Sequence, residues 1–326
     1  MFHVRSLLLA IALLPSLILA PGTSAAAGPY SVLPEPQSGF SWVSASIYGA
    51  RHSIRMTMYE LFDDTVTAAL VAAQRRGVDV QVLLDYAFHG HEVNTRAYAA
   101  LSDGGVTVRY ALHSIIYHQK SLVIDTTQVA IGTGNLTSKY YAGSRDDWII
   151  STDPSDVAAV SATFDADMDS AAAGSGHPSP GVAGSRLVWS PHARERFVST
   201  ITSATSSVDI TSEEFTDRVI AGAVAKVASR GVRCRIILPG SSVNTDAVSS
   251  VSSAGCSVHS AKPDGLYMHQ KLLIVDGNTT LIGSQNLSTE SLTQNRELSV
   301  ILDRSSAPEV VAQLASQFER DVAASA

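Results

Sequence analysis

The apolar and polar positions of this chain change period several times, and they do so twice in the same order. Residues 53–60, Ser-Ile-Arg-Met-Thr-Met-Tyr-Glu, alternate as the residues of a half-buried strand do. An Ala- and Val-rich stretch follows from Thr65 to Arg76 with helical spacing, Gly77 closes it, and residues 79–84 read as a second strand. The programme returns in residues 207–214, Ser-Val-Asp-Ile-Thr-Ser-Glu-Glu. A helix is predicted over Arg218 to Arg230, then Gly231, then a strand over residues 232–238. The two runs superimpose at an offset of 154 residues, which sets Glu60 on Glu214 and Gly77 on Gly231. Each half then adds another helix and a further short strand. Strands alternating with helices predict an α/β fold of two similar halves, each a mostly parallel or mixed sheet flanked by helices.

Between the halves, residues 171–184 lose all periodicity. This Ala, Gly, Ser and Pro stretch is predicted to be a linker, so the halves are placed at 28–170 and 185–326. The start of the chain has a different character. Arg5 precedes an apolar run from Leu7 to Ala20, and small residues end it at Ala25 and Ala27. A basic start, an apolar middle and small residues at a cleavage point predict a secretory signal over residues 1–27, and hence a secreted protein. A retained membrane anchor asks for a longer apolar run with a basic stop.

Composition narrows the function classes. Hydrophobic residues make up 45% of the 326, enough for a full core, and the formal net charge is −7. Removal of residues 1–27 takes away one Arg and no acid, which leaves −8. That balance disfavours a protein that lives on broad phosphate contacts, which needs a basic face. The two cysteines, Cys234 and Cys256, fall in neighbouring strand-like runs. They are expected either to form one disulfide or to stay as two buried thiols.

A matched block follows each set of elements. In the first half it is His118-Gln119-Lys120, four residues, Asp125, and then Gly132-Thr133-Gly134-Asn135. In the second it is His269-Gln270-Lys271, four residues, Asp276, and then Gly283-Ser284-Gln285-Asn286. Eleven residues beyond each Asn stands an acid, Asp146 or Glu297, although Asp147 beside the first leaves its register open by one residue. Alternation along a strand puts His118 and Lys120 on one side, and His269 and Lys271 likewise. Such a pair offers one anion a nucleophile or proton carrier together with a fixed positive charge. Asp125 and Asp276 have the opposite parity and read as structural. The Asn amides offer donors to phosphate oxygens, and Asp146 and Glu297 are suited to hold each imidazole in one tautomer. Glu60 and Glu214 are placed either in the pocket or as caps of the following helices.

These two blocks resemble the signature of the phospholipase D superfamily, His-x-Lys-x4-Asp followed by Gly-Ser-x-Asn, with Thr133 in place of Ser in the first copy. The resemblance runs over nearly the whole chain after residue 27. It implies a pseudo-twofold dimer in one chain, a single pocket built from both halves, and a chain active as a monomer. It also implies a two-step displacement at phosphorus through a phosphohistidine, with no metal or cofactor. His118 is then assigned as nucleophile and His269 as acid and base, the reverse remaining open. Lys120, Lys271, Asn135 and Asn286 bind the phosphate. The expected substrate is a phospholipid at a membrane or micelle surface, hydrolysed or transferred. The apolar residues beside the motifs, Ile115-Ile116-Tyr117 and Leu266-Tyr267-Met268, favour that choice. The alternative is a metal-independent exported endonuclease acting on nucleic acid, which fits the negative charge poorly.

Overall fold

The computed structural model describes residues 28–174, 181–182 and 186–326. The expected signal segment and most of the expected linker lie outside those residues. Each half is built around one sheet, and the two sheets share a strand order. The first runs Tyr30–Glu35, Ser144–Ser151, Gln128–Gly132, Lys120–Ile124, Ser53–Met58, Asp79–Leu84, Thr107–Tyr110. The second runs Leu187–Ser190, Glu297–Asp303, Thr279–Gly283, Leu272–Val275, Ser207–Thr211, Arg233–Leu238, Ser257–Ser260.

Both sheets are mixed. Ser53–Met58 lies parallel to Asp79–Leu84 and antiparallel to Lys120–Ile124. Ser207–Thr211 stands in the same relation to Arg233–Leu238 and Leu272–Val275. The parallel pairs need crossovers, and helices Asp64–Arg75 and Arg218–Ala228 supply them. Asp63 and Asp217 start those helices by accepting two backbone amides each. Gly77 and Gly231 turn the chain back at φ +90° and +89°, a region that side chains with a Cβ rarely enter.

Several boundaries differ from the pattern reading, among them the second-half run over 207–214, whose strand ends at Thr211, and the helix expected to Arg230, which ends at Ala228. Helix Pro154–Ala173 continues into residues expected to be linker, because Ala171 to Ala173 are good helix formers and only Gly174, at φ +60°, stops it. The strand expected over 53–60 ends at Met58, and Tyr59 and Glu60 leave the sheet toward the cleft described below.

One apolar cluster joins the halves. Val123, Val129, Ile131 and Ile149 of the first pack with Ile274, Ile282, Leu298 and Val300 of the second. The same boundary carries two buried ion pairs, each linking an arginine of one half to a helix of the other. Arg145 donates to both oxygens of Asp321 at 2.9 Å, and Arg296 donates to Asp167 at 2.8 Å. Cys234 and Cys256 form a disulfide between adjacent segments of the second half, with an S–S length of 2.09 Å. Among the described residues no helix is long and apolar enough to cross a membrane.

A buried charge stripped of its partner costs far more than an exposed one. Asp321→Ala strands Arg145 and is expected to lower stability by about 3–5 kcal/mol. Asp64→Ala breaks the pair with Arg96, whose side chains are 72% and 66% exposed, and should cost less than about 1 kcal/mol. Thermal melts of both variants check this; equal losses would show that the Arg145 pair does not tie the halves.

Candidate active site

The two motif histidines stand just before the strands Lys120–Ile124 and Leu272–Val275, at the boundary of the halves. What places them there is backbone pairing across that boundary. Tyr117 forms a parallel bridge with Arg296, closed by Gln119 N–H donating to Arg296 O and Arg296 N–H to Ile116 O. Tyr267–Met268 pairs in parallel with Ser144 and Arg145. The chain directions then leave His118 beside Glu297 and His269 beside Asp146.

The carboxylates therefore serve the imidazole of the opposite half. His118 Nδ1 lies 2.9 Å from Glu297 Oε2, and His269 Nδ1 lies 2.8 Å from Asp146 Oδ1. An ionised carboxylate only accepts, so both Nδ1 atoms carry the proton and Nε2 of each ring is turned to other work. Asn295 donates to Glu297 Oε1 at 3.0 Å. The Thr133 hydroxyl donates to Asp146 Oδ1 at 2.6 Å, so this motif residue aims a carboxylate rather than merely admitting a close backbone. Gly134 leaves the room for it: a Cβ there would fall 2.6 Å from Asp146 Cγ. The neighbour Asp147 is fully buried and accepts from Gln270 and Gln317, away from either ring, which fixes the register on Asp146.

Lys120 and Lys271 lie beneath the histidines, and each donates to the carbonyl two residues back, at His118 O (2.7 Å) and His269 O (2.5 Å). Asn135 Nδ2 lies 3.3 Å from Glu60 Oε2, and Asn286 Nδ2 lies 3.4 Å from Glu213 Oε2. The repeat offset sets Glu214 against Glu60, yet it is Glu213 that meets the second Asn. Glu213 also reaches Lys271 Nζ at 3.0 Å and stands 3.3 Å from His269 Nε2. Asp125 and Asp276 face away from the cleft. Asp125 takes the amides of Arg51, His52 and Ser53, and Asp276 those of Thr205, Ser206 and Ser207, so each pins the loop that enters the central strand.

One cleft of about 600 Å³ is lined by His118, Asn135 and Asp146 from the first half and Glu213, His269 and Asn286 from the second. Its mouth is aromatic. Phe88, Tyr140 and Tyr267 are 64%, 51% and 44% exposed there, and Phe40 stacks on Tyr141 with 3.5 Å between centroids. Of the apolar residues read beside the motifs, Tyr267 reaches this mouth while Tyr117 and Met268 are buried; pattern reasoning passed over Tyr59, Glu213 and the rest of the mouth, and the offset of 154 carried the signal for the first two, since it aligns them with each other. His89 lines the cleft as well, whereas His91 rests against Tyr86. Among the described residues no three His, Cys, Asp or Glu side chains group as metal ligands.

Burial and charge divide the protonation states. Burial, then the Lys120 ammonium, pushes the His118 imidazole down to about 4 against the opposing pull of Glu297. Burial, then Lys271, pushes the Lys120 ammonium down to about 7. Burial on its own raises Glu297 and Asp146, but the imidazoles they face bring both below the ordinary carboxylate range.

The family described as "Cardiolipin synthase, PLD-like domain" matches residues 43–168 and again residues 197–322. The protein belongs to the phospholipase D superfamily. Cardiolipin synthase A of Pseudomonas putida (strain GB-1) is 27% identical over 326 residues, which span 87% of this chain and 67% of that protein. The phosphatidylserine synthase of Haemophilus influenzae Rd KW20 has a TM-score of 0.66 at 14% identity, over 90% of this chain and 85% of its own. A polyphosphate kinase from Porphyromonas gingivalis has a TM-score of 0.68 at 16% identity, over 89% and 50%. At such identities the solved structures show the superfamily fold, and their names span different reactions, so this member's substrate has to be argued from its site.

The protonation states give a pH profile. kcat/KM should rise with pH through about 4 as His118 becomes neutral, and fall as pH passes about 7 and Lys120 loses its charge. Initial rates over that range check it; a rate that stays flat well above pH 7 would remove Lys120 from the anion site.

Proposed function

We propose that the protein is a phosphodiesterase of the phospholipase D type, acting on phospholipids by hydrolysis or by transfer to an acceptor alcohol. The observation that carries the reading is two imidazoles from opposite halves in one cleft, each held at Nδ1 by the other half's carboxylate. His118 presents a neutral ring with Nε2 free to attack phosphorus. A P–N bond forms as the P–O bond to the leaving alcohol breaks. His269, with carboxylates at both ring nitrogens, gives its Nε2 proton to that alcohol. It then takes a proton from water or a second alcohol, which attacks the phosphohistidine and frees His118. Lys120, Lys271, Asn135 and Asn286 hold the phosphate oxygens and favour the charge that builds there.

The lipid reading is supported by the exposed aromatic mouth, which suits a membrane interface, and by the carboxylates inside the cleft, which suit a polyanion badly. The names of the curated relatives point the same way. The basic and apolar composition of residues 1–27 supports action outside the cell, and the presence of both motifs in one chain supports a working monomer.

His118→Ala and His269→Ala are each expected to lower turnover at least ~10³-fold, since neither half holds a complete site. A p-nitrophenyl leaving group, which needs no proton, should partly restore phospho-enzyme formation in His269→Ala alone. Restoration in His118→Ala instead would reverse the two roles. Phosphatidylcholine vesicles and plasmid DNA, offered separately with a chelator present, should show turnover of the lipid; cleavage of the DNA alone would replace the lipid reading with the nuclease one.

A further inference from the structure

Among the places where the pseudo-twofold repeat breaks is a pair of positions beside the motif lysines. The offset of 154 brings Tyr59 and Glu213 to corresponding points, just past the strands Ser53–Met58 and Ser207–Thr211. In the first half the position is uncharged. The Tyr59 ring meets His118 edge-on with 4.7 Å between centroids, and Lys120 Nζ lies 5.1 Å from its centre. In the second half it holds a carboxylate. Glu213 Oε2 contacts Lys271 Nζ at 3.0 Å, Asn286 Nδ2 at 3.4 Å and His269 Nε2 at 3.3 Å, while Oε1 accepts from the Tyr267 hydroxyl at 3.1 Å. Those first three partners are the groups that the proposed reaction assigns to substrate phosphate and leaving alcohol. Although burial works against ionisation of Glu213, the Lys271 ammonium and the His269 ring hold its carboxyl far below the ordinary range.

We propose that Glu213 sets the charge class of the ligand, admitting a singly charged phosphodiester and turning away a doubly charged phosphomonoester. The inference rests on the phosphodiester reading above and adds the residue that enforces it. The charges at the site decide the matter. Lys120 and Lys271 bring two positive charges, and Glu213 cancels one, so at most one is left for the ligand. Asp146 is engaged by His269, whereas Glu297 faces the neutral His118 ring and keeps its charge, and Glu60 and Glu214 add further carboxylates to the wall. Lys139 stands at the mouth over the Tyr140 ring, at 4.6 Å. A second negative charge on the ligand therefore meets carboxylates around the phosphate site, with the further ammonium, Lys139, out at the mouth. A phosphodiester carries one charge, whereas a phosphomonoester takes its second near pH 6. Hydrolysis of a phosphodiester ends in a monoester, so the same residue that tolerates substrate would expel product.

The test is calorimetric binding of two ligands that need no turnover, at about pH 6.5, where Lys120 still keeps most of its charge. Phenyl phosphate is mostly doubly charged there, and methylphenylphosphinate carries one charge. Glu213→Gln removes the charge and keeps the shape. It should tighten phenyl phosphate ~10-fold or more and the phosphinate less than ~3-fold, whereas Glu213→Asp should keep the wild-type ratio. Glu213→Tyr, which copies the first half, gives the same readout should the Gln variant fold poorly. Equal tightening of both ligands would show that Glu213 merely plugs the site, and an unchanged ratio would show that it plays no part; either overturns the proposal. Turnover of bis-p-nitrophenyl phosphate by the wild-type protein is scored separately. Its absence would defeat the phosphodiesterase reading, while the binding ratio would still decide the role of Glu213.

Discussion

Everything about the site depends on a short exchange of backbone pairing across the boundary of the halves. Tyr117 is laid along Arg296, and Met268 along Arg145, by the same parallel geometry repeated about the pseudo-twofold. Because a histidine follows Tyr117 and Met268 and an acid follows Arg296 and Arg145, every imidazole is delivered to the carboxylate of the other half. The buried arginines at these bridges are tied in turn to the helices of the opposite half, through Asp321 and Asp167. The apolar cluster between the sheets holds the boundary closed, but the hydrogen-bonded exchange fixes its register.

The repeat imposes symmetry on the scaffold and withdraws it at the reacting atoms. His118 faces a tyrosine ring and one carboxylate, whereas His269 is bracketed by two carboxylates. Two residues of one type can then occupy opposite protonation states within one cleft, which is what a displacement at phosphorus requires of its nucleophile and its acid. Beside the reacting atoms, position 213 places a carboxylate where the first copy has the Tyr59 ring.

Much of this was legible in the chain. The strands and crossover helices announced themselves through alternation, helical spacing and the glycines that stop each helix, and the motif residues through their identical register in both halves. The crossing of partners was not legible. Spacing along a chain gives Asp146 the same distance from His118 as Glu297 has from His269, and only the docking of the halves decides which imidazole each acid meets. Glu213 was missed for a related reason. A repeat draws the eye to positions that match, such as Glu60 and Glu214, whereas the functional difference lies where the copies disagree. The helical run through Ala173 was read as linker because an alanine tract has no apolar and polar contrast for periodicity to use.

The crossed pairing also bears on the order in which the chain acquires reactivity. Synthesis proceeds from the first half to the second, and the strands from Tyr30–Glu35 to Ser144–Ser151 are all made long before residue 297 exists. At that stage His118 has no carboxylate at Nδ1, and Asp146 has no imidazole to hold. The last strand to join the second sheet, Glu297–Asp303, is the one that brings Glu297 into place. A chain interrupted anywhere before it lacks the carboxylate that holds His118. The architecture thus makes the addition of residues 297–303, and not merely local folding of the earlier strands, the event that completes the centre.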